Sequence, residues 1–219
     1  MKKQALIVGA LGVAGKGLLE HLLQLDDWDV VALSRRPVSA EYNVPSISVD
    51  LLDAAQCEAM LPALTGITHI FYVAYAPRPT HAQEVEPNVR MLQNLMGVLD
   101  RVAPNLQHVS LMQGTKAYGA HLGPYKTPAR EIDPRIISPL FYYPQQDYLT
   151  ALAADRPWTW SVMRPRSIWG FSIGSTMNMI TALGAYAAIS RELGLPLCFP
   201  GTEGGYKRMA IIAVVIGKS

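Results

Sequence analysis

Gly9-Ala10-Leu11-Gly12-Val13-Ala14-Gly15 follows the short apolar run at residues 4–8 at once and opens the amphipathic stretch 16–25. That context decides the reading. A tight turn after a strand calls for a residue without Cβ, and a backbone that must approach an anion closely calls for another. The first turn of the helix then presents unpaired N–H groups to negative charge. The pattern therefore predicts a strand, a phosphate-cradling turn and a helix, with Gly9, Leu11, Gly12, Val13 and Gly15 as candidate contacts to a dinucleotide.

Working outward, short apolar or β-branched runs alternate with longer helical patterns. The runs at 4–8, 30–34, 47–49, 69–74, 107–112 and 160–164 read as strands, and 16–25, 54–64, 87–102 and 144–154 read as helices. Such alternation predicts βαβ units, hence an α/β Rossmann-type doubly wound parallel sheet with helices on both faces. Residues 78–86 and the Pro-rich 123–139 read as loops bordering a cleft. Met177, Met179 and the apolar residues after them read as a helix lining that cleft, with core packing the alternative.

The 219 residues are 50% hydrophobic, with 19 Lys and Arg against 17 Asp and Glu, a net charge of +2. No basic block tracks a nucleic-acid backbone, so nucleic acid is not an expected partner. Cys57 and Cys198 have neither disulfide-framework nor zinc-site spacing. The N-terminal apolar run is too short for a signal peptide, and 209–216 is too short for a membrane helix. A soluble, cytoplasmic, metal-free protein that does not engage a membrane is the expectation. The five histidines share no helical face or ligand spacing and receive no role.

At the end of the second strand, an NAD site places an acidic residue against the ribose 2′-hydroxyl. Here Ser34-Arg35-Arg36 stands instead. Guanidiniums offer planar paired donors to phosphate, so NADPH is the expected cofactor, although an Arg pair after a strand also suits plain solvent. Asp50 after the third strand is a candidate for the adenine pocket. Leu51, Val73, Ala74 and Gln113, at or after strand ends, are further candidate cofactor contacts. Pro165, Ser167 and Ile168 belong to a strand-to-loop segment expected beside the nicotinamide.

Reductases of this fold usually carry Tyr-x-x-x-Lys, and no tyrosine here has lysine four residues on. Yet Gly114-Thr-Lys116-Ala-Tyr118, Phe141-Tyr142-Tyr143 with Asp147, and Arg164-Pro-Arg-Ser-Ile168-Trp-Gly170-Phe-Ser occur together. With Ser34-Arg-Arg-Pro37, Ser175-Thr-Met-Asn178 and Cys198-Phe-Pro-Gly201, they make the chain resemble the progesterone 5β-reductase and iridoid synthase family of extended short-chain dehydrogenases/reductases. The resemblance implies a catalytic pair, Lys116 and Tyr142. On residues alone, Tyr142 reads equally as an aromatic core residue and Lys116 as a surface lysine.

The resemblance further implies NADPH-dependent 1,4-reduction of the activated C=C bond of a small enone or enal. Hydride arriving at the β-carbon throws charge onto the carbonyl oxygen, where a phenol from Tyr142 acts like an oxyanion hole and Lys116 adds positive charge. The family's chains run well beyond residue 219, so the expectation is a nucleotide-binding domain at 1–170 and an incomplete C-terminal substrate region at 171–219. Turnover would then be impaired, and the apolar tail would favour a homodimer. A carbonyl reductase or epimerase/dehydratase-like enzyme, and a non-turning NADP(H)-binding protein, are the alternatives.

Overall fold

The computed structural model describes residues 2–170, 172, 179–198 and 201, with the backbone of Val214 and Val215. Six parallel strands form the sheet: β1 (Lys3–Val8), β2 (Trp28–Ser34), β3 (Ser46–Ser48), β4 (His69–Tyr72), β5 (His108–Met112) and β6 (Thr159–Met163). Their order is β3-β2-β1-β4-β5-β6. The chain winds outward from β1 to β3, then returns to add β4 on the other side, so a crevice opens above the carboxyl ends of β1 and β4. A short pair, β7 (Ile168–Trp169) with β8 (Val214–Val215), stands apart from the main sheet.

Alternation along β1 assigns the two faces. Ala5 and Ile7 join Val30 and Ala32 of β2 against Leu19 and Leu22 of α1 (Val13–Leu22). Leu6 and Val8 point the other way, into a larger core. That core takes Cys57 from α2 (Ala54–Met60), Leu92, Leu95, Met96 and Leu99 from α3 (His81–Val102), and Leu149 from α4 (Tyr142–Ala153). Near-continuous burial of β1 and β2 is what a parallel sheet covered on both faces requires. Among the described residues a further helix, α5 (Met179–Glu192), takes in Met179 and the apolar residues after it, while Met177 lies outside the described residues.

Most elements differ from their sequence expectation by one or two residues, and two differences matter. The helix α1 starts at Val13, so the glycine turn passes directly into it. The predicted loop at 78–86 is mostly helix, because α3 starts at His81 and carries Pro87 inside it. Proline suits the first helical position, which is compatible with the expected start at Pro87. The real start is set by Thr80, whose Oγ1 accepts from the Gln83 N–H at 3.3 Å. Thr-x-x-Gln is half of a capping box and is the signal that marks it.

Cys57 is buried, and burial first, then nearby carboxylates, push its thiol up to about 11. Both cysteines are free. No helix among the described residues is long and apolar enough to cross a membrane.

Candidate active site

The glycine turn shows why each glycine stands where it does. Gly9 has φ +94°, and a Cβ there would lie 2.9 Å from the Ala74 Cα, so β4's exit and the turn touch backbone to backbone. A Cβ on Gly15 would sit 2.2 Å from the Gly9 carbonyl oxygen, which locks α1 against the end of β1. Gly12 differs: a Cβ there meets only the Gly9 oxygen, at 3.4 Å. Its exposed outer side leaves the approach to the α1 N-terminus open, and Gly12 as N-cap supplies no side chain to the first N–H groups. This cradle, which a side chain would fill, suits a diphosphate.

The other predicted residues gather around the same edge. Ser34 ends β2 with its hydroxyl donating to the Arg36 carbonyl, and Arg35 and Arg36 project as exposed side chains just beyond. Asp50 accepts the Leu52 N–H at 3.0 Å, and the Leu51 carbonyl accepts from Asn94 at 2.7 Å, which fixes the turn after β3. Val73 continues the β1–β4 ladder, its N–H donating to the Val8 carbonyl at 2.9 Å. Leu11 has its carbonyl capped by the Ser172 hydroxyl at 2.8 Å. Ser172 closes the glycine turn from above, a role its sequence position did not reveal.

Across the crevice, Gln113 and Lys116 follow β5, and Tyr142 opens α4. Gln113 donates from Nε2 to the Tyr142 carbonyl at 2.8 Å and from its backbone to the Met163 carbonyl at 2.8 Å. Its buried Oε1 has no protein partner among the described residues, so an acceptor waits there. The Tyr142 hydroxyl stands over Gly114, 3.1 Å from where a Cβ would be, and the Pro165 carbonyl lies 3.5 Å from the same point. Gly114 is therefore the residue that gives the phenol room. Phe141 packs edge-on against the Tyr142 ring at 4.7 Å. Ser167, between Pro165 and Ile168, accepts from the Trp169 indole at 2.5 Å.

Burial first, and the Glu84 carboxylate second, push the Tyr142 phenol up to about 12. At neutral pH the hydroxyl is thus a donor, the form an oxyanion hole needs. Lys116 is half-buried in a short 3-10 turn, Thr115–Tyr118, and its charge is felt by Glu84 and His121.

A cleft of about 460 Å³ opens beside that turn, lined by Tyr118, Leu122, Tyr125, Lys126, Asp133 and Ile136 among others. The predicted loop at 123–139 does border it. Tyr143, next to the catalytic candidate, holds this loop in place: its hydroxyl donates to the Ala117 carbonyl at 2.8 Å and accepts the Ile136 N–H at 3.0 Å. Arg135 clasps Asp147 through two hydrogen bonds of 2.8 and 2.5 Å and lies over the Tyr143 ring. Tyr143→Phe is expected to cost about 1–3 kcal/mol, since it strands two backbone groups. Urea unfolding reads the loss, and faster proteolysis within 119–140 locates it.

A winding order of this kind, with its glycine turn at the crevice, defines a Rossmann-fold protein. The chain belongs to the PRISE-like Rossmann-fold domain family, whose model matches residues 5–215. It is 38% identical over 216 residues to an (S)-8-oxocitronellyl enol synthase of Nepeta racemosa, covering 92% of this chain and 55% of that protein. It is 37% identical over 220 residues to a 3-oxo-Δ4,5-steroid 5β-reductase of Arabidopsis thaliana, covering 93% and 56%. The chain thus spans about half the length of the curated relatives it matches.

Among solved structures, it superposes on the UDP-glucose 4-epimerase of Thermus thermophilus in complex with NAD with a TM-score of 0.67 at 20% identity, over 91% of this chain and 68% of that one. UDP-N-acetylglucosamine 4-epimerase of Bacillus cereus gives a TM-score of 0.67 at 14% identity, over 85% and 66%. These likenesses concern the fold.

Proposed function

We propose that this chain carries the nucleotide-binding and catalytic half of an NADPH-dependent enone reductase, which adds hydrogen 1,4 across the activated C=C bond of a small unsaturated ketone or aldehyde. The observation that carries this reading is the Tyr142 phenol, held neutral over Gly114 beside the Pro165 carbonyl, at the carboxyl edge of the sheet that also carries the glycine turn after β1 and Lys116 after β5. The relatives named above support it: one is a reductase of an oxo-steroid unsaturated at the 4,5 bond, the other an enol synthase of an oxo compound.

The residues present fit a pyridine dinucleotide. The turn from Gly9 to Gly15 would hold the diphosphate, Arg35 and Arg36 the 2′-phosphate, and the turns at Asp50–Leu51 and Val73–Ala74 the adenosine half. Gln113, Pro165, Ser167 and Ile168 would border the ring. Bound there, the reduced nucleotide supplies the hydride. The chain's own part is electrostatic. As negative charge grows on the substrate's carbonyl oxygen, the Tyr142 hydroxyl donates to it and the Lys116 ammonium adds a favourable field. The charge is stabilised only as it develops, which lowers the barrier without tightening ground-state binding.

The test is turnover of cyclohexenone with NADPH and analysis of the product. A saturated ketone is expected, and an allylic alcohol would overturn 1,4-reduction in favour of carbonyl reduction. Cofactor choice has its own test. Arg35→Ala with Arg36→Ala is expected to weaken NADPH about 10- to 100-fold, because hydrogen bonds to charged groups contribute about 1.5–3 kcal/mol. NADH affinity should stay unchanged, and calorimetry reads both. An equal loss for the two nucleotides would remove the 2′-phosphate from the argument.

A further inference from the structure

Beneath the catalytic candidates lies a buried carboxylate that the proposed reaction does not use. Glu84, in the first turn of α3, is 5% exposed. Its Oε1 accepts from the Tyr75 phenol, and its Oε2 lies 3.1 Å from His81 Nδ1. A carboxylate this deep is costly unless satisfied and paired, and here two donors satisfy it. Burial alone would raise its pKa, but the bonds from Tyr75 and His81 and the Lys116 charge outweigh burial and hold it below the ordinary value. It is therefore a fixed negative charge at neutral pH.

Its placement is built into the fold. The Asn88 side chain, one turn along α3 and fully buried, accepts the Ala76 N–H and donates to the Ala76 and Glu84 carbonyls at 2.8–2.9 Å. That clamps the segment after β4 to the start of α3. Gln145 donates to the Asn88 carbonyl at 3.0 Å, tying the first turn of α4 to the same node. The Tyr75 ring stacks on Phe141 at 5.8 Å, and Phe141 packs on Tyr142. Glu84 is thus linked through Tyr75 and Phe141 to the candidate phenol; its charge is felt by Tyr142, and it feels in turn the charge of Lys116.

We propose that Glu84 is a positioning residue for the Tyr142–Lys116 pair: its clamped carboxylate is the counter-charge to Lys116 and the fixed negative charge beside which Tyr142 stays a hydrogen-bond donor. This rests on reading those two residues as the catalytic pair. A cation alone beside a phenol favours the phenolate, which can accept but not donate. A carboxylate nearby opposes that pull, so Lys116 can attract the developing oxyanion without stripping the phenol of its proton. The groups facing this cluster are Tyr75 and His81 on Glu84, Lys116 from the turn after β5, Tyr142 from the start of α4, and His121 edge-on to His81 at 5.3 Å.

The experiment places a difluorinated tyrosine at position 142 of the full chain and follows its ionisation by fluorine NMR, in the parent and in Glu84→Gln. Removing the carboxylate is expected to lower the apparent pKa of the fluorophenol by about one pH unit. Glu84→Met, also uncharged and similar in length, should do the same and serves where the amide variant does not fold. Tyr75→Phe, which keeps the charge, should not lower it. An unmoved titration in the charge-removing variants overturns the proposal.

Kinetics with cyclohexenone and the natural tyrosine give a second reading. The alkaline loss of kcat should begin at lower pH in Glu84→Gln, whereas a profile merely scaled down, its limb unmoved, would mark a structural role and overturn the proposal. If the fluorophenol titration moves but the parent turns over no enone, the reductase reading fails while the role of Glu84 stands.

Discussion

Tyr142→Phe is expected to lower NADPH consumption with cyclohexenone by about 100-fold or more, the usual cost of deleting one donor to a developing oxyanion. The change is unusually clean here. Phenylalanine keeps the ring that packs edge-on against Phe141, and it relieves rather than adds contact over Gly114. The Gln113 amide bonds the Tyr142 backbone carbonyl, not the hydroxyl, so that link survives. Stability and NADPH affinity should therefore match the parent, and the loss should fall on kcat. A variant that consumes NADPH as fast as the parent would take the phenol out of the mechanism. A variant that loses nucleotide affinity as well would show that the hydroxyl shapes the groove rather than the barrier.

Within the glycine turn the second large effect is a contrast between neighbours. Gly15→Ala places a methyl 2.2 Å from the Gly9 oxygen and 2.8 Å from the Ala10 Cα, both backbone atoms that cannot swing aside. Either α1 or the end of β1 must move. The expected cost is about 3 kcal/mol or more, a fall in Tm of about 6–12 °C for a chain of this size. Gly12→Ala meets only one atom, at ordinary contact distance, and should cost within about 1 kcal/mol. Yet its methyl points toward the space where phosphates would approach, so NADPH affinity should fall about tenfold or more. Thermal melts and calorimetry on the two variants separate the roles. If Gly12→Ala binds NADPH like the parent, the diphosphate does not lie against that turn.

Much of the candidate site is legible in the sequence, because its positions are set by local chemistry. A strand, a turn that excludes Cβ and an uncapped helix start leave a spacing of glycines that few other structures need. The gathering of Ser34, Asp50, Val73, Gln113 and Pro165 on one edge follows from it, since parallel strands place all their carboxyl ends together. What local reading misplaced was the start of α3. Pro87 is a strong signal for a first helical turn, whereas the Thr80–Gln83 pairing that sets the actual start is a weaker one. With α3 read as beginning at Pro87, Glu84 and His81 belong to a loop bordering the cleft, and nothing local marks Glu84 as buried.

The sequence by itself determined the alternation of strands and helices in a doubly wound sheet and the glycine turn, each written in adjacent residues; to Lys116 and Tyr142 it pointed only through the family resemblance that their motifs carry. Only the tertiary structure decided what surrounds that pair. Glu84, Tyr75, Tyr143 and Ser172 act through partners far along the chain: Glu84 through Lys116, Tyr75 through Phe141, Tyr143 through Ala117, Ser172 through Leu11. Burial and charge at a point are sums over whatever the fold brings there, and no local stretch of sequence contains those sums.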